Sequence, residues 1–223
     1  MNDERVGTEK ARDDLRETLR SVILGEVRLR KRGHDDIVEI CRETYIQEVC
    51  PQCEWETFIR LTSDEIKQAV TQFAAEKGEW PEVTDCDRLD RVEAKSRDRG
   101  ILFWQASSCC DTCTRSELGD RMEMINCRHP GFLEIVCGYA FFVDQNLPGM
   151  LAEDPSLSFF ICYGWFPKER PQATPEELKS NTLEIGRNVC ECLKSEGFEV
   201  DWDGDVQNRI GLSIKWQRRT MLA

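Results

Sequence analysis

Several features that mark common classes of enzyme are scarce or missing in this sequence. It contains only two histidines, and neither His34 nor His129 has a serine or cysteine partner at the spacing of a familiar catalytic triad. Neither of the Gly-rich phosphate-binding motifs, the P-loop or the dinucleotide fingerprint, is present. No apolar run approaches the roughly 18 to 20 residues that a membrane-spanning helix needs. These gaps argue against a triad hydrolase, a nucleotide-binding enzyme of those kinds and a transmembrane protein.

Positive charge is also in short supply. The 223 residues include 30 Lys and Arg against 42 Asp and Glu, which gives a formal net charge of −12. Nucleic-acid backbones and anionic membrane surfaces attract positively charged proteins, so neither is expected as a partner. The N-terminal segment is polar and charged, unlike a secretory signal, so we expect a cytoplasmic protein with reduced thiols. A protein or a small molecule is the expected partner.

The first part of the chain predicts helices. Apolar residues recur at helical spacing from Leu15 to Val27, and Gly33 follows that run. A capping-box pattern formed by Thr62 and Glu65 predicts the start of a later helix. We therefore predict a helical N-terminal region over residues 1–80.

Strand patterns appear in the remainder, residues 81–223. Apolar or aromatic runs predict strands at 101–104, 138–143 and 157–163, and Thr174-Pro175 predicts the start of a helix. A hairpin is predicted at the end, with the turn dipeptide Asp203-Gly204 between 198–202 and 209–216. The sequence therefore predicts an α+β fold, with a mostly antiparallel sheet that carries helices on one face, preceded by the helical region.

The chain has 12 cysteines, and four of them form two Cys-x-x-Cys pairs, Cys50–Cys53 and Cys110–Cys113. Zinc favours four thiolates, and a two-residue spacer lets both sulfurs of a pair reach one ion. The pairs lie much further apart in sequence than the roughly 15 to 20 residues of a compact zinc ribbon, so ligand identity stays open. The alternative donors are Cys109, Cys86, Cys127 and His129.

Redox chemistry is a second hypothesis for the Cys110–Cys113 pair. A strand, a loop and then Cys-x-x-Cys at the start of a helix is an arrangement that lowers a thiol pKa, because the helix N-terminus stabilises the thiolate. Three features weigh against it. The doublet Cys109-Cys110 is unusual, Asp111 adds a negative charge, and the full β-α-β pattern of thioredoxin-like proteins is not recognisable.

The third hypothesis is that these thiols only pack in the core or pin a tight turn, as buried reduced cysteines commonly do. The sequence contains no recognisable catalytic constellation. This third hypothesis therefore predicts a non-enzymatic binding or interaction module with a structural cysteine-rich turn, for which zinc is a candidate stabilising ion. The alternative is a thiol redox enzyme or sensor that uses Cys110 and Cys113.

A series of short motifs occurs in order along the last two-thirds of the chain. They are Thr-Asp-Cys-Asp-Arg-Leu-Asp (84–90), Gly100-Ile101, Cys109-Cys110-x-x-Cys113, Gly138-Tyr139-x-Phe141, Tyr163-Gly164, Trp202-Asp203-Gly204, Arg209-Ile210 and Trp216-x-x-Arg219. With them, the chain from about Trp80 to its end resembles an uncharacterised bacterial family, a domain of unknown function. The resemblance implies a grouping and no activity.

This chain departs from the family pattern at three places. In that pattern a glycine follows the third cysteine, and a histidine and Gln-Asp follow the Gly-Tyr-x-Phe strand. Here those places are Thr114, Val143 and Asp144-Gln145-Asn146. If the family's histidine joined the cysteines on a metal, this chain lacks it. Cys50 and Cys53 fall outside the resembling region and are either local replacements for such a ligand or unrelated to it.

Overall fold

A computed structural model describes residues 9–167 and 173–222. In chain order its helices and strands are α1 (Glu9–Leu29), α2 (His34–Cys41), a π-helical turn (Arg42–Ile46), α3 (Gln47–Val49), a 3-10 turn (Gln52–Glu54), α4 (Trp55–Gly78), α5 (Asp85–Asp98), β1 (Ile101–Trp104), α6 (Asp111–Arg128), α7 (Phe132–Ile135), β2 (Gly138–Phe141), α8 (Leu147–Glu153), β3 (Ser156–Trp165), α9 (Pro175–Ser195), β4 (Val200–Asp201) and β5 (Ile210–Lys215). None of the described helices is long and apolar enough to cross a membrane.

The chain divides into two compact units. The first contains the residues up to Thr84 together with Asn146–Pro155 and the residues from Trp216 onward, and the second contains Asp85–Gln145 and Ser156–Lys215. The first unit thus takes in two later segments besides its N-terminal helices. The division into two domains, residues 1–80 and 81–223, stays a prediction.

The first unit is helical, as the sequence predicts for residues 1–80. The apolar stripe of α1 is buried, with Leu19 and Ile23 fully enclosed in its core. Helix α8 crosses α1 at Gly25, where an added Cβ would lie 1.8 Å from the Pro148 carbonyl oxygen. Only glycine allows the two backbones to approach so closely.

The helix start predicted at Thr62 is wrong. Helix α4 runs from Trp55 to Gly78 without a break, and Thr62 is buried within it. Its hydroxyl donates to the Phe58 carbonyl oxygen at 2.9 Å, one turn earlier in the same helix. A threonine can satisfy its hydroxyl inside a helix as well as at a cap, so the local pattern was ambiguous.

The second unit contains a five-stranded sheet in the order β1-β2-β3-β5-β4. Strands β1 and β2 pair in parallel, with Ile101 opposite Gly138, and the other three neighbouring pairs are antiparallel. The predicted terminal hairpin is confirmed by the pairing of β4 with β5. The mixed α and β content and the mostly antiparallel sheet are therefore confirmed.

Helices contact both faces of this sheet, which is wider coverage than the single face we expected. Leu118 and Ile125 of α6 share a buried cluster with Phe141 of β2. The neighbouring face of β2 meets α9, since a Cβ at Gly138 would lie 2.5 Å from the Ile185 side chain. Successive residues of a strand point to opposite faces, so positions 138 and 141 belong to different sides.

Candidate thiol site

Three cysteine sulfurs gather where the loop after β1 enters α6. The Sγ atoms of Cys109, Cys110 and Cys113 all lie within 4.8 Å of one another. Cys109 is exposed, and Cys110 and Cys113 are half-buried. The site is therefore open to reagents in solvent and is not part of the packed core.

Cys110 is the N-cap residue of α6. Its backbone is extended, and its Sγ accepts a hydrogen bond from the backbone N–H of Cys113 at 3.5 Å. The first amide groups of a helix have no partner within the helix, and together with the helix dipole they favour negative charge at this end. A thiolate at Cys110 therefore receives stabilisation that a thiolate elsewhere on the helix would not.

The two thiols of the Cys-x-x-Cys pair have opposite acidities. The pKa of Cys110 is lowered, first by the hydrogen bond from the Cys113 amide and then by one from the Cys113 thiol. The pKa of Cys113 is raised to about 12, chiefly by its hydrogen bonds with Cys110 and Cys109. Cys110 is thus the thiol that ionises first, while Cys113 keeps its proton and donates to it.

The loop that carries the site is anchored from inside the unit. The Ser107 amide donates to the Phe142 carbonyl oxygen at 2.8 Å, and the buried Ser107 hydroxyl lies 2.9 Å from that of Thr114 in α6. Between these anchors and β1, Ala106 has a φ of 42°, in the left-handed region that non-glycine residues rarely adopt. Such a conformation costs about 1–3 kcal/mol and persists where the surroundings fix it.

The negative charge of Asp111 was an argument against redox chemistry, but in the structure this carboxylate has an ion-pair partner and a hydrogen-bond donor. Its Oδ2 atom lies 2.6 Å from the guanidinium of Arg209, at the start of β5. The same oxygen accepts a hydrogen bond from the Cys162 thiol at 3.2 Å. Burial, together with this hydrogen bond, raises the pKa of Cys162 to about 11, so that thiol remains protonated. The positive charge of Arg209 therefore offsets much of the effect that the Asp111 carboxylate would have on Cys110.

The strand, helix and strand that the sequence predicts around the cysteines form a β-α-β unit. Strand β1, helix α6 and strand β2 follow one another, and the two strands are parallel neighbours. The carboxyl ends of parallel strands meet at one edge of a sheet, and the cysteine loop begins at that edge. The parallel pairing of β1 with β2 could not be read from the sequence, because strand pairing depends on residues that are far apart along the chain.

The alternative ligands within the second unit do not join the three cysteines. His129 and Cys127 lie at the opposite end of α6, and 18 helical residues span about 27 Å. Cys86 is buried in the first turn of α5. Among the described residues of the second unit, only Cys109 lies close enough to Cys110 and Cys113 to share a metal ion with them.

The other Cys-x-x-Cys pair belongs to the first unit and has a different local structure. Cys50 is buried directly after α3, and Cys53 is exposed in the following 3-10 turn. Burial, followed by the charge of Glu54, raises the pKa of Cys50. A four-cysteine zinc site would need both pairs, and it stays a prediction.

Sequence reasoning missed the residues that support the site. Arg209 and Cys162 flank Asp111 from distant parts of the chain, and Ser107 and Thr114 secure the loop. Long-range contacts such as Arg209 with Asp111 leave no local pattern. The spacing of Ser107 and Thr114 across a helix start could have suggested a contact, since both side chains are small and polar.

The second unit is thus a mixed α/β unit with a partly exposed three-thiol site at the N-terminus of a helix. The chain belongs to the DUF6891 family, a domain of unknown function, whose model matches residues 12–220. This confirms the resemblance to an uncharacterised family and extends it through the N-terminal helices, so Cys50 and Cys53 lie inside the matched region. Comparison with curated proteins and with solved structures found no match.

Proposed function

We propose that the protein carries out thiol–disulfide exchange, with Cys110 as the nucleophile and Cys113 as the resolving thiol. The observation that supports this most is the N-cap position of Cys110, whose sulfur faces the Cys113 amide. Thiolate is the reactive form of cysteine, and this position favours it. A bacterial cytoplasm, which keeps thiols reduced, is the compartment we propose. With a net charge of −12, neither nucleic acid nor a membrane is a proposed partner.

The reaction is balanced with a dithiol site and a disulfide substrate. The Cys110 thiolate attacks one substrate sulfur, which breaks the substrate disulfide and forms a mixed disulfide, and the departing thiolate takes up a proton. Cys113 then loses its proton and attacks Cys110, which releases the second substrate thiol. The substrate gains two electrons, and Cys110 and Cys113 become a disulfide. Two molecules of a thiol reductant such as glutathione then reduce the Cys110–Cys113 disulfide to two thiols and become a disulfide themselves.

The test is to trap the intermediate. With Cys113→Ser, the mixed disulfide has no resolving thiol, so incubation with glutathione disulfide should leave glutathione on Cys110. Peptide mass spectrometry locates the adduct. The wild-type protein should instead accumulate the Cys110–Cys113 disulfide and release both glutathione molecules.

The exposed cysteine Cys127 is an internal control in the same sample, because it lies in the last turn of α6 and not at the helix start. Its glutathione occupancy therefore measures unassisted reaction. Equal occupancy of Cys110 and Cys127 in the Cys113→Ser protein would contradict the proposal.

A second candidate function is the non-enzymatic binding module. A cavity of about 710 Å³ in the second unit favours it. Its lining includes Arg88 and Phe160, and the Phe160 side chain is 63% exposed. Small-molecule sites commonly have volumes of about 300–1,000 Å³ and combine apolar walls with a few polar groups.

A fluorescent probe tests this candidate site. Anilinonaphthalene sulfonate should fluoresce on binding in the cavity, and Phe160→Ser should abolish the signal. An unchanged signal would argue against this site.

A further inference from the structure

We propose that Cys109, Cys110 and Cys113 together form a three-thiolate site for monovalent copper. The thiol-exchange proposal uses only two of these residues, whereas the structure brings three sulfurs within 4.8 Å of one another. Soft thiolate ligands select soft ions, and Cu(I) is the soft ion among common biological metals. This inference goes beyond disulfide exchange, since metal binding involves no electron transfer.

The distances suit three-coordinate binding after a small movement. With metal–sulfur bonds of about 2.3 Å, as for zinc, three sulfurs in a trigonal plane lie about 4.0 Å apart. The observed sulfurs are separated by at most 4.8 Å. Cys109 is exposed on the loop before α6, so its side chain has free space in which to rotate. Closing the site therefore needs side-chain rotation and no rearrangement of the helix.

The number of donors favours copper over zinc. Among the described residues of the second unit, no fourth His, Cys, Asp or Glu joins the three cysteines. The nearest carboxylate in sequence, Asp111, is engaged by Arg209 and Cys162. Structural zinc sites are almost always closed by four protein ligands, whereas three thiolates satisfy Cu(I).

The helix start also suits the charge of the complex. When three thiols bind one Cu(I), they release three protons, so the product carries two negative charges. The N-terminus of α6 favours anions through its dipole and its free amide groups. The Cys113 amide already donates to Cys110 Sγ, and the same hydrogen bond stabilises a metal-bound thiolate. A Cys110–Cys113 disulfide removes two of the three ligands, so oxidation and copper binding exclude each other.

The experiment is an anaerobic titration of the full-length reduced protein with Cu(I), in competition with the chelator bathocuproine disulfonate. The wild type should bind one equivalent of Cu(I). Cys109→Ser should bind Cu(I) more than about 100-fold less tightly, since loss of even an outer partner of a metal ligand lowers metal affinity about 10- to 100-fold. Cys127→Ser is the matched control, because Cys127 is another exposed cysteine, at the far end of the same helix. Its affinity should equal that of the wild type.

Equal copper affinity of Cys109→Ser and wild type would overturn the proposal. So would a parallel titration in which Zn(II) occupies the same three cysteines and Cu(I) fails to displace it. X-ray absorption of the copper-loaded protein should show three sulfur neighbours, and a two-sulfur result would contradict the trigonal site. Trapping of the mixed disulfide needs no copper. A failed copper titration therefore does not contradict disulfide exchange, and a failed trap does not contradict copper binding.

Discussion

The two Cys-x-x-Cys pairs share a sequence pattern, but their surroundings differ. Cys50 ends a helical segment, is 4% exposed and has a raised pKa. Cys110 begins a helix, is half-buried and has a lowered pKa. The dipole at a helix start favours a thiolate, whereas burial disfavours it, and at Cys50 burial outweighs the nearby charges of Arg12 and Arg16. Placement relative to a helix end, more than the motif itself, decides the chemistry of each pair.

The largest expected difference is in alkylation rate at pH 7. Iodoacetamide reacts with thiolates, so Cys110 should be labelled more than about 100-fold faster than Cys50. Because the pKa of Cys110 is lowered, its alkylation rate should fall only at a pH below the one at which an ordinary cysteine loses reactivity. Isotope-coded labelling followed by peptide mass spectrometry measures both rates in one sample. Comparable rates would remove the contrast between the pairs.

The same substitution should destabilise the protein at Cys50 but not at Cys110. Cys50→Ser buries a hydroxyl in the core of the first unit and should destabilise it by about 1–2 kcal/mol. Cys110→Ser places a preferred N-cap residue at the start of α6 and should leave the melting temperature unchanged or raise it. Thermal unfolding followed by circular dichroism measures both variants. A lower melting temperature for Cys110→Ser would argue against its role as a cap.

A smaller effect separates the two largest causes of the lowered Cys110 pKa. Cys113→Ala removes the thiol donor but keeps the amide donor, which contributes more. The pKa of Cys110 should rise yet remain below its ordinary value, and its alkylation rate at neutral pH should fall by roughly three- to tenfold. The pH profile of alkylation gives the pKa directly. Thr112→Ala, which keeps the backbone donors and both thiols, is the control and should match the wild type.

The smallest expected effect comes from Arg209. Arg209→Ala leaves the Asp111 carboxylate without its 2.6 Å ion pair, and this negative charge then opposes ionisation of Cys110. Alkylation of Cys110 should slow by about two- to threefold at low salt and less at high salt, since exposed charges are screened. Arg209→Lys should restore most of the rate. A rate that does not depend on the charge at position 209 would show that Asp111 is balanced in another way.

Local patterns predicted much of the fold correctly. The apolar run at 101–104 became β1, and the capping box at Thr174 begins α9 as predicted. The second strand of the predicted terminal hairpin also formed, as β5. These signals are short-range consequences of helix and strand geometry, so one sequence is enough to read them. The pattern at Thr62 failed because the same residues also fit inside a helix.

The sequence by itself determined the Cys110–Cys113 spacing and its place at a strand-to-helix turn, because both depend on neighbouring residues. Only the tertiary structure decided that Cys109 joins the pair, that Arg209 neutralises Asp111, and that β1 and β2 pair in parallel around α6. Arg209 and Asp111 are 98 residues apart. Their meeting depends on how the strands pack, which leaves no trace in the local spacing of either residue. The local pattern thus placed Cys110 at a helix start, where its pKa is lowered, but it left the charges around the pair open.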